Sequence, residues 1–360
     1  MTANVEHRVK FLDAWRFIAV SMVINGHLLI HSPFGLVFGH AFGPWVHRLA
    51  HLGVIFFFFI SGYVICTSLL VEYNHTQRVS LPAFYVRRFF RILPPLALFL
   101  IACFALEKFG VIDILNSQLL KSALFLCNLQ VFFGDCSWYA GHTWSLAYEE
   151  QFYLIFPLLF IWLFLFLQKS SSFLMLWVGM VFLSLVLKFT DHDFFGEYLN
   201  YMIFLLTGVV AALYKTEILQ RLHQTSILHW LIACLSWLLI VYLTPQLYEK
   251  YVYVLVYPFL IAYLVLATPV HSSGFRLFFE NHFICYLGRI SYTVYLWQQL
   301  ATAKYEYLPL IWYPIMIVAV WVFAHYSFKF FETPLIHYAS GLSRRIKERG
   351  LNKGSDASGY

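Results

Sequence analysis

The chain has 360 residues, of which 61% are hydrophobic, 20% are aromatic and only 12% are charged. An ordinary soluble domain carries about twice that share of charged residues, so the composition argues against a soluble protein and indicates several membrane spans. The net charge of +6 is weak evidence for a nucleic-acid partner, and none is expected.

Hydropathy predicts an all-α integral membrane protein, a bundle of about ten transmembrane helices. The predicted spans are 12–31, 48–70, 92–110, 142–166, 172–189, 198–214, 227–244, 251–268, 282–302 and 310–331.

Two further segments complete the predicted layout. Residues 117–133 are apolar but too few to cross a bilayer, which favours an interfacial or re-entrant segment. Residues 1–340 therefore form a transmembrane domain. Residues 341–360 form a basic, Gly/Ser-rich cytoplasmic tail that is expected to be disordered.

The distribution of Lys and Arg orients this layout. With both termini in the cytoplasm, 17 of the 24 basic residues lie inside, six lie outside, and Arg16 lies within the first span. Cytoplasmic loops are enriched in Lys and Arg, so the split favours this orientation. The six cysteines lack zinc-like spacing, but Cys127 and Cys136 would form a disulfide if both face an oxidising compartment.

The first span, FLDAWRFIAVSMVINGHLLIH (11–31), carries Asp13, Arg16 and His27. Ionisable side chains are costly in hydrocarbon and mark a functional site by default. Arg16 and His27 are three helical turns apart, so they share a helix face and are separated by roughly 16 Å of depth. Alternatively, the arginine reaches the membrane interface and the histidine is hydrogen-bonded within the bundle.

Basic residues cluster at the start of the third span, in AFYVRRFFRILPPL (83–96). Arg88 and Arg91 are three residues apart and share a helix face. Arginine binds phosphate in a bidentate manner, so this pair is a candidate phosphate site. Composition alone favours the alternative of an ordinary cytoplasmic anchor on acidic lipid.

A third candidate lies in HTWSLAYEEQFYLIFP (142–157). Ser145, Glu149 and Tyr153 are spaced i, i+4, i+8 and form one polar stripe. In the predicted orientation Glu149 lies about 10 Å below the external end of its span, at a depth comparable with His27. A carboxylate that orients an imidazole is typical of general-base catalysis. The alternative is a buried Glu bonded to Ser, Tyr or Arg for packing alone.

Four histidines occupy the first external loop and the adjoining span. These histidines are His31, His40, His47 and His51. No carboxylate or cysteine accompanies them at a useful spacing, so no metal site is predicted. They are expected to contact an acceptor or to have no specific role.

Several motifs occur in an order that resembles the acyltransferase 3 family of membrane-bound enzymes, which O-acylate cell-surface polysaccharides and other glycosides. The first span resembles the family's opening segment with its R-x10-H spacing, and TWSLAYEEQFYLIFP is similar to another family motif. The other resembling segments are FFFFISGYVI, RRFFRILPP with its R-x-x-R, LGRISYTVYLWQQ and FFETP. Gln298 departs from the family, since many members have His there.

The resemblance implies an acyl-CoA donor, usually acetyl-CoA, as co-substrate, with no permanently bound cofactor. It implies a glycan or glycolipid hydroxyl as acceptor, for example of a polysaccharide or lipopolysaccharide, and a multi-pass protein in lipid of the inner (plasma) membrane. The resemblance also implies that His27, as general base or acyl relay, and Glu149 are the catalytic residues. The donor-binding residues would be Arg16, Arg88 and Arg91, and the supporting residues would be Asp13, Ser145 and Tyr153.

A secondary transporter or flippase of a glycan-lipid would also place Arg, His and Glu inside the membrane. Such a protein is expected to show inverted repeats, and the sequence shows no internal similarity between its halves. A non-catalytic scaffold would not need the costly intramembrane His and Glu. The enzyme is therefore the leading hypothesis.

Overall fold

The computed structural model describes residues 10–31, 33–166, 171–189, 193–222, 226–243, 254–268, 277–303, 309 and 311–356. Across these ranges the chain is helical with short connections and contains no strand, which confirms the predicted all-α class. The helices are α1 (Lys10–His31), α2 (Pro33–Thr76), α3 (Leu81–Lys108), α4 (Asn116–Ala123), α5 (Gln130–Phe133), α6 (Trp138–Gly141), α7 (Thr143–Phe160), α8 (Ser171–Phe189), α9 (Asp193–Leu213), α10 (Lys215–Leu222), α11 (Ile227–Leu243), α12 (Tyr257–Ala267), α13 (His282–Arg289), α14 (Ser291–Thr302), α15 (Trp312–Ser327) and α16 (Thr333–Asp356). Two π-helical segments, Ile161–Phe166 and Phe328–Glu332, follow α7 and α15.

Several helical stretches within the described ranges are long and apolar enough to cross a bilayer. There are six of them: Ala50–Thr76, Leu81–Lys108, Trp138–Phe164, Ser171–Lys188, Phe195–Leu213 and Trp312–Arg349. The sharply bent pair Lys215–Leu222 and Ile227–Leu239 would make a seventh. The chain is therefore a multi-pass membrane protein, and the count of ten spans and the orientation of the termini stay predictions.

The structure also changes the shape of two predicted spans. The span 282–302 is interrupted at Ile290, between α13 and α14. The span 251–268 is helical over Tyr257–Ala267, and residues 251–253 lie outside the described residues. The segment 117–133 contains α4 and α5, which are both too short to span, as its non-spanning interpretation requires.

The chain divides into two compact units. The first unit comprises Met1–Ser68, Tyr148–Ser291 and Lys304–Leu310. The second unit comprises Leu69–Ala147, Tyr292–Ala303 and Ile311–Tyr360.

Helices of the first unit approach closely where glycines replace larger side chains. A Cβ atom on Gly62 in α2 would overlap the main-chain carbonyl of Leu205 in α9, and one on Gly208 would overlap that of Phe59. Small residues allow such backbone contact between membrane helices. The contact fixes α2 against α9.

The second unit is built around the packing of α3 against α16. The buried carboxylate of Glu72 accepts a hydrogen bond from the Ser80 main-chain N–H at 2.9 Å and lies 2.7 Å from Lys347 Nζ. The Arg87 guanidinium lies 3.4 Å from the same carboxylate and donates to Ser343 Oγ at 2.6 Å. These contacts join the end of α2 and the start of α3 to α16. We call Glu72, Arg87, Ser343 and Lys347 the Glu72 clasp.

The Glu72 clasp corrects the expectation of a disordered tail. Gly341–Asp356 continues α16 as a helix, and residues 357–360 lie outside the described residues. The helix forms because Ser343 and Lys347, one turn apart, find fixed partners on α2 and α3.

Candidate functional site

An ion cluster lies at the start of α1, in the first unit. Arg16 Nη1 donates to Asp13 Oδ1 at 3.0 Å, and Arg289 Nε lies 3.5 Å from Asp13 Oδ2. The Asp13 side chain is 1% exposed, and a carboxylate this deeply buried is costly unless cations accompany it. Arg16 and Arg289 are two such cations.

Gly288 brings α13 into this cluster. A Cβ atom at this position would overlap the main-chain oxygen of Asp13, so only glycine lets the two helices meet here. Asn281 caps α13, since its side chain accepts from the N–H groups of Phe283 (2.8 Å) and Ile284 (3.2 Å). Close approach and cap together place Arg289, the last residue of α13, beside Asp13.

His27 lies on the same continuous helix as Arg16, as predicted. Its side chain is half-buried in the first unit. Eleven residues of α-helix separate the two along the axis by roughly 16 Å. The structure therefore places an ion cluster and an imidazole at separate levels of α1.

Ser145, Glu149 and Tyr153 lie on the continuous helix α7, and their hydrogen-bond partners differ. Tyr153 Oη donates to Glu149 Oε2 at 2.7 Å, and both residues belong to the first unit. Ser145 instead belongs to the second unit, where its Oγ lies 2.6 Å from Tyr295 Oη and 3.1 Å from the main-chain oxygen of His142. The residues of the stripe therefore contact two different sets of side chains, one in each unit. The pairing of Glu149 with His27 stays a prediction.

Aromatic and polar side chains surround α7 within the first unit. The rings of Tyr148 and Tyr201 lie 4.9 Å apart, and those of Tyr148 and Tyr198 lie 5.0 Å apart. Tyr198 Oη donates to Gln151 Oε1 at 3.0 Å, and Tyr201 Oη lies 2.8 Å from His51 Nε2. Of the four histidines noted in the sequence, His51 is thus placed in a polar aromatic cluster. The side chains of His31, His40 and His47 lie outside the described residues.

The arginines of α3 occupy three different environments in the second unit. Arg87 belongs to the Glu72 clasp. Arg88 is half-buried, with its guanidinium carbon 5.8 Å from the centroid of the Phe84 ring. Arg91 is exposed. The predicted phosphate-binding pair is therefore on one helix, while Arg16 belongs to the other unit.

Glu332 has a polar environment that the sequence analysis did not identify. Its side chain ends the π-helical segment and is 5% exposed. Thr293 Oγ1 donates to Glu332 Oε1 in a short hydrogen bond, and Ser327 Oγ donates to the same atom at 3.2 Å. Tyr292 Oη donates to the main-chain oxygen of Ile92, the residue after Arg91, at 2.9 Å.

The signal for Glu332 and Arg289 was present in the sequence. Both charges lie in or beside predicted spans, within the FFETP and LGRISYTVYLWQQ segments. A charge in an apolar stretch needs a partner, and the sequence analysis named none for Glu332 or Arg289.

Further buried polar groups lie on α14. The side chains of Gln298 and Gln299 are buried, and Gln298 Nε2 donates to Gln299 Oε1 at 3.0 Å. Gln299 Nε2 donates to the main-chain oxygen of Trp138 at 2.8 Å. Gln298 thus has a structural hydrogen bond at the position where many acyltransferase 3 members have His.

The segment between α3 and α7 is closed by a disulfide between Cys127 and Cys136. Lys121 Nζ donates to the main-chain oxygens of Phe133, Gly134 and Asp135 at 3.1, 3.1 and 2.6 Å. Both contacts fold this short-helix segment onto itself. In the part of the chain that the structure describes, no group of His, Cys, Asp or Glu is suited to hold a metal ion.

Comparison with known proteins identifies the family. A protein of Staphylococcus aureus (strain COL), provisionally named an O-acetyltransferase, is 27% identical over 335 residues, which cover 83% of this chain and 55% of that protein. The O-acetyltransferase OatA of Staphylococcus aureus (strain NCTC 8325 / PS 47) is 27% identical over 339 residues, covering 84% of this chain and 55% of OatA. The chain thus spans about half the length of these curated relatives.

No solved structure matches the chain. The sequence profile described as an acyltransferase domain matches residues 9–342, nearly the whole length. The chain belongs to the acyltransferase 3 family of acyltransferase domains.

Proposed function

We propose that the protein is an integral membrane O-acetyltransferase. It moves an acyl group, the acetyl group, from cytoplasmic acyl-CoA to a hydroxyl of a cell-surface glycan or glycolipid. The observation that carries the proposal is the arrangement of α1, where one helix bears the ion pair of Arg16 with the buried Asp13 and, three turns away, a half-buried imidazole. Relatives named as O-acetyltransferases support the reaction class.

The arginines bind the donor in this proposal. Coenzyme A carries several phosphate charges, and arginine recognises phosphate through paired N–H groups. Arg91 is exposed and Arg88 lies one turn away on the same helix. Arg16 is the third arginine that we assign to the anionic donor.

His27 acts on the acceptor. As general base, its imidazole takes the proton of the acceptor hydroxyl while the oxygen attacks the thioester carbonyl. The carbon–sulfur bond then breaks, and the imidazolium returns its proton to the leaving CoA thiolate. In the relay form the imidazole attacks the thioester carbonyl, the carbon–sulfur bond breaks, and the CoA thiolate leaves with the proton of the imidazole N–H. The acceptor hydroxyl then attacks the acyl-imidazole, the carbon–nitrogen bond breaks, and the hydroxyl proton returns to the imidazole. Glu149, held by Tyr153, favours the imidazolium in both forms.

Topology is part of the proposal. A protein of about ten spans with both termini in the cytoplasm of the plasma membrane places the segment 111–141 outside. The disulfide of Cys127 and Cys136 supports this orientation, because disulfides persist in oxidising compartments. The external segment then lies on the side of a surface glycan.

Reconstituted protein tests the proposed reaction. Proteoliposomes receive radiolabelled acetyl-CoA on one side and isolated surface glycans on the other, and label in the glycan is counted. His27→Ala is expected to lower transfer by at least about 100-fold, the lower range of general acid–base effects. His75→Ala, at an exposed histidine at the end of α2, is the matched control and is expected to retain transfer.

Three results would contradict the proposal. Wild-type transfer by His27→Ala removes the catalytic assignment, provided that the variant has the thermal stability of the wild type. Glycan movement across the bilayer without label supports a transporter. Label transferred to a lipid or protein in place of the glycan removes the proposed acceptor class.

A further inference from the structure

The second unit contains a carboxylate that the proposed chemistry does not use. Glu332 lies within the candidate span Trp312–Arg349 and is 5% exposed. A carboxylate in such a place is costly unless it is bonded and used. It also ends a π-helical segment, a distortion of the α-helix that is frequent at functional sites.

The surroundings of Glu332 fix one of its oxygens. The hydroxyls of Thr293 and Ser327 both donate to Oε1. Thr293 belongs to α14, whereas Ser327 ends α15, so the carboxylate is held from two helices. The second oxygen, Oε2, is left to meet a cation.

The cation available to Glu332 is Arg91. The π-helical segment packs against α3, the helix that carries Arg91. Tyr292, the neighbour of Thr293, bonds the main-chain oxygen of Ile92, the neighbour of Arg91. Two successive residues of α14 therefore make these bonds. Tyr292 bonds the backbone of α3 next to Arg91, and Thr293 bonds the carboxylate of Glu332.

The backbone of α3 is distinctive at this point. Pro94 and Pro95 lie inside the helix and carry no N–H, so the carbonyls of Phe90 and Arg91 lose their usual i+4 donors. Helix geometry alone constrains the Arg91 turn less than an uninterrupted α-helix would. The hydrogen bond from Tyr292 to Ile92 supplies part of the missing constraint.

We propose that Glu332 is a positioning residue for donor binding: held by Thr293 and Ser327, it fixes the guanidinium of Arg91 so that the free edge of that group meets a phosphate of coenzyme A. The guanidinium has five N–H donors, so one edge can face Glu332 while another faces phosphate. Glu332 itself touches no substrate. The inference rests on the proposed donor role of Arg91.

The test measures binding of coenzyme A to the purified full chain in lipid nanodiscs by titration calorimetry, which needs no acceptor. Glu332→Gln keeps an acceptor oxygen for Thr293 and Ser327 but removes the charge. We expect it to raise the Kd for coenzyme A about tenfold, which corresponds to the loss of one charge-assisted contact. Arg91→Ala is expected to raise it at least as much, and the double variant no more than Arg91→Ala alone.

Each alternative outcome has a distinct meaning. Unchanged affinity in Arg91→Ala overturns the donor role of Arg91 and with it the proposed function of the pair. Weakened binding in Arg91→Ala but not in Glu332→Gln overturns only the positioning role. The positioning role is also overturned if the affinity losses of the two single variants add in the double variant, or if the double variant binds coenzyme A more tightly than Arg91→Ala. Glu332 would then act independently of Arg91.

Three further variants separate positioning from folding. Glu348→Gln removes an exposed carboxylate of the second unit and is expected to leave the Kd unchanged. If Glu332→Gln does not fold, Thr293→Val and Thr293→Ser decide the question. Only the variant without a hydroxyl is expected to weaken coenzyme A binding, and equal Kd values for the two overturn the proposal.

Discussion

Arg16 donates to Asp13 at 3.0 Å from one helical turn away, while Arg289 reaches the other oxygen of the same carboxylate at 3.5 Å. Asp13→Asn would leave both cations without this counter-charge. Removing one partner of a buried pair costs about 3 kcal/mol, and the 37% exposure of Arg289 reduces its share. We therefore expect a clear drop in the midpoint of thermal unfolding in detergent, whereas Asp113→Asn, at an exposed residue, is expected to leave it unchanged.

Gly288 gives a second prediction, because its position beside Asp13 has no room for a side chain. Gly288→Ala is expected to separate α13 from α1 and to reduce the folded yield strongly, as measured by size-exclusion chromatography. Gly341→Ala, in α16, meets nothing within 4 Å and is expected to be neutral or slightly stabilising. Equal yields for the two variants would show that α1 and α13 are further apart.

The bond from Tyr153 to Glu149 predicts a graded effect on catalysis. Tyr153→Phe removes the donor at 2.7 Å and should lower kcat about tenfold by leaving Glu149 less well oriented. Glu149→Gln should lower it further. Acetyl transfer is measured at saturating acetyl-CoA, with Tyr338→Phe, at an exposed tyrosine, as control. A wild-type kcat for Glu149→Gln would remove that residue from the catalytic site.

The Glu72 clasp predicts a local effect on the last helix. Glu72→Gln leaves Arg87 and Lys347 without their counter-charge and is expected to release α16 from α3. Limited proteolysis should then cut α16 at least several-fold faster than in the wild type. Arg345→Ala alters an exposed residue of the same helix and is expected to retain the wild-type rate. Unchanged cleavage in Glu72→Gln would mean that apolar packing alone holds α16.

The pairing of Cys127 with Cys136 predicts which side of the membrane the intervening segment faces. In intact cells, maleimide that cannot cross the membrane should label these thiols only after an impermeant reductant is added outside. Free Cys66 and Cys103 are buried and are expected to stay unlabelled. Labelling that requires permeabilised cells would reverse the proposed orientation.

Local sequence pattern predicted the features that depend on one helix. The continuous α1 with Arg16 and His27, the all-α class and the bond of Glu149 to Tyr153 follow from composition and helical spacing. These require no knowledge of which helices are neighbours.

Features that depend on distant residues were missed for the same physical reason. Ser145 meets Tyr295 across 150 positions, and Lys347 meets Glu72. No periodicity encodes such pairs, so the partners of Ser145 and Lys347 could not be predicted from the sequence. The break at Ile290 was missed because hydropathy averages over a window longer than the break.

The π-helical segment Phe328–Glu332 also has a consequence for the residues that follow it. A π turn accommodates one more residue than an α turn, and each residue of an α-helix advances the side-chain direction by about 100°. The segment therefore acts as a phase shift between α15 and α16. Converting the segment to a regular α-helix without deleting a residue would rotate Ser343 and Lys347 by about 100° away from their partners, although neither residue had been altered. Deleting one residue at the same time would restore their directions.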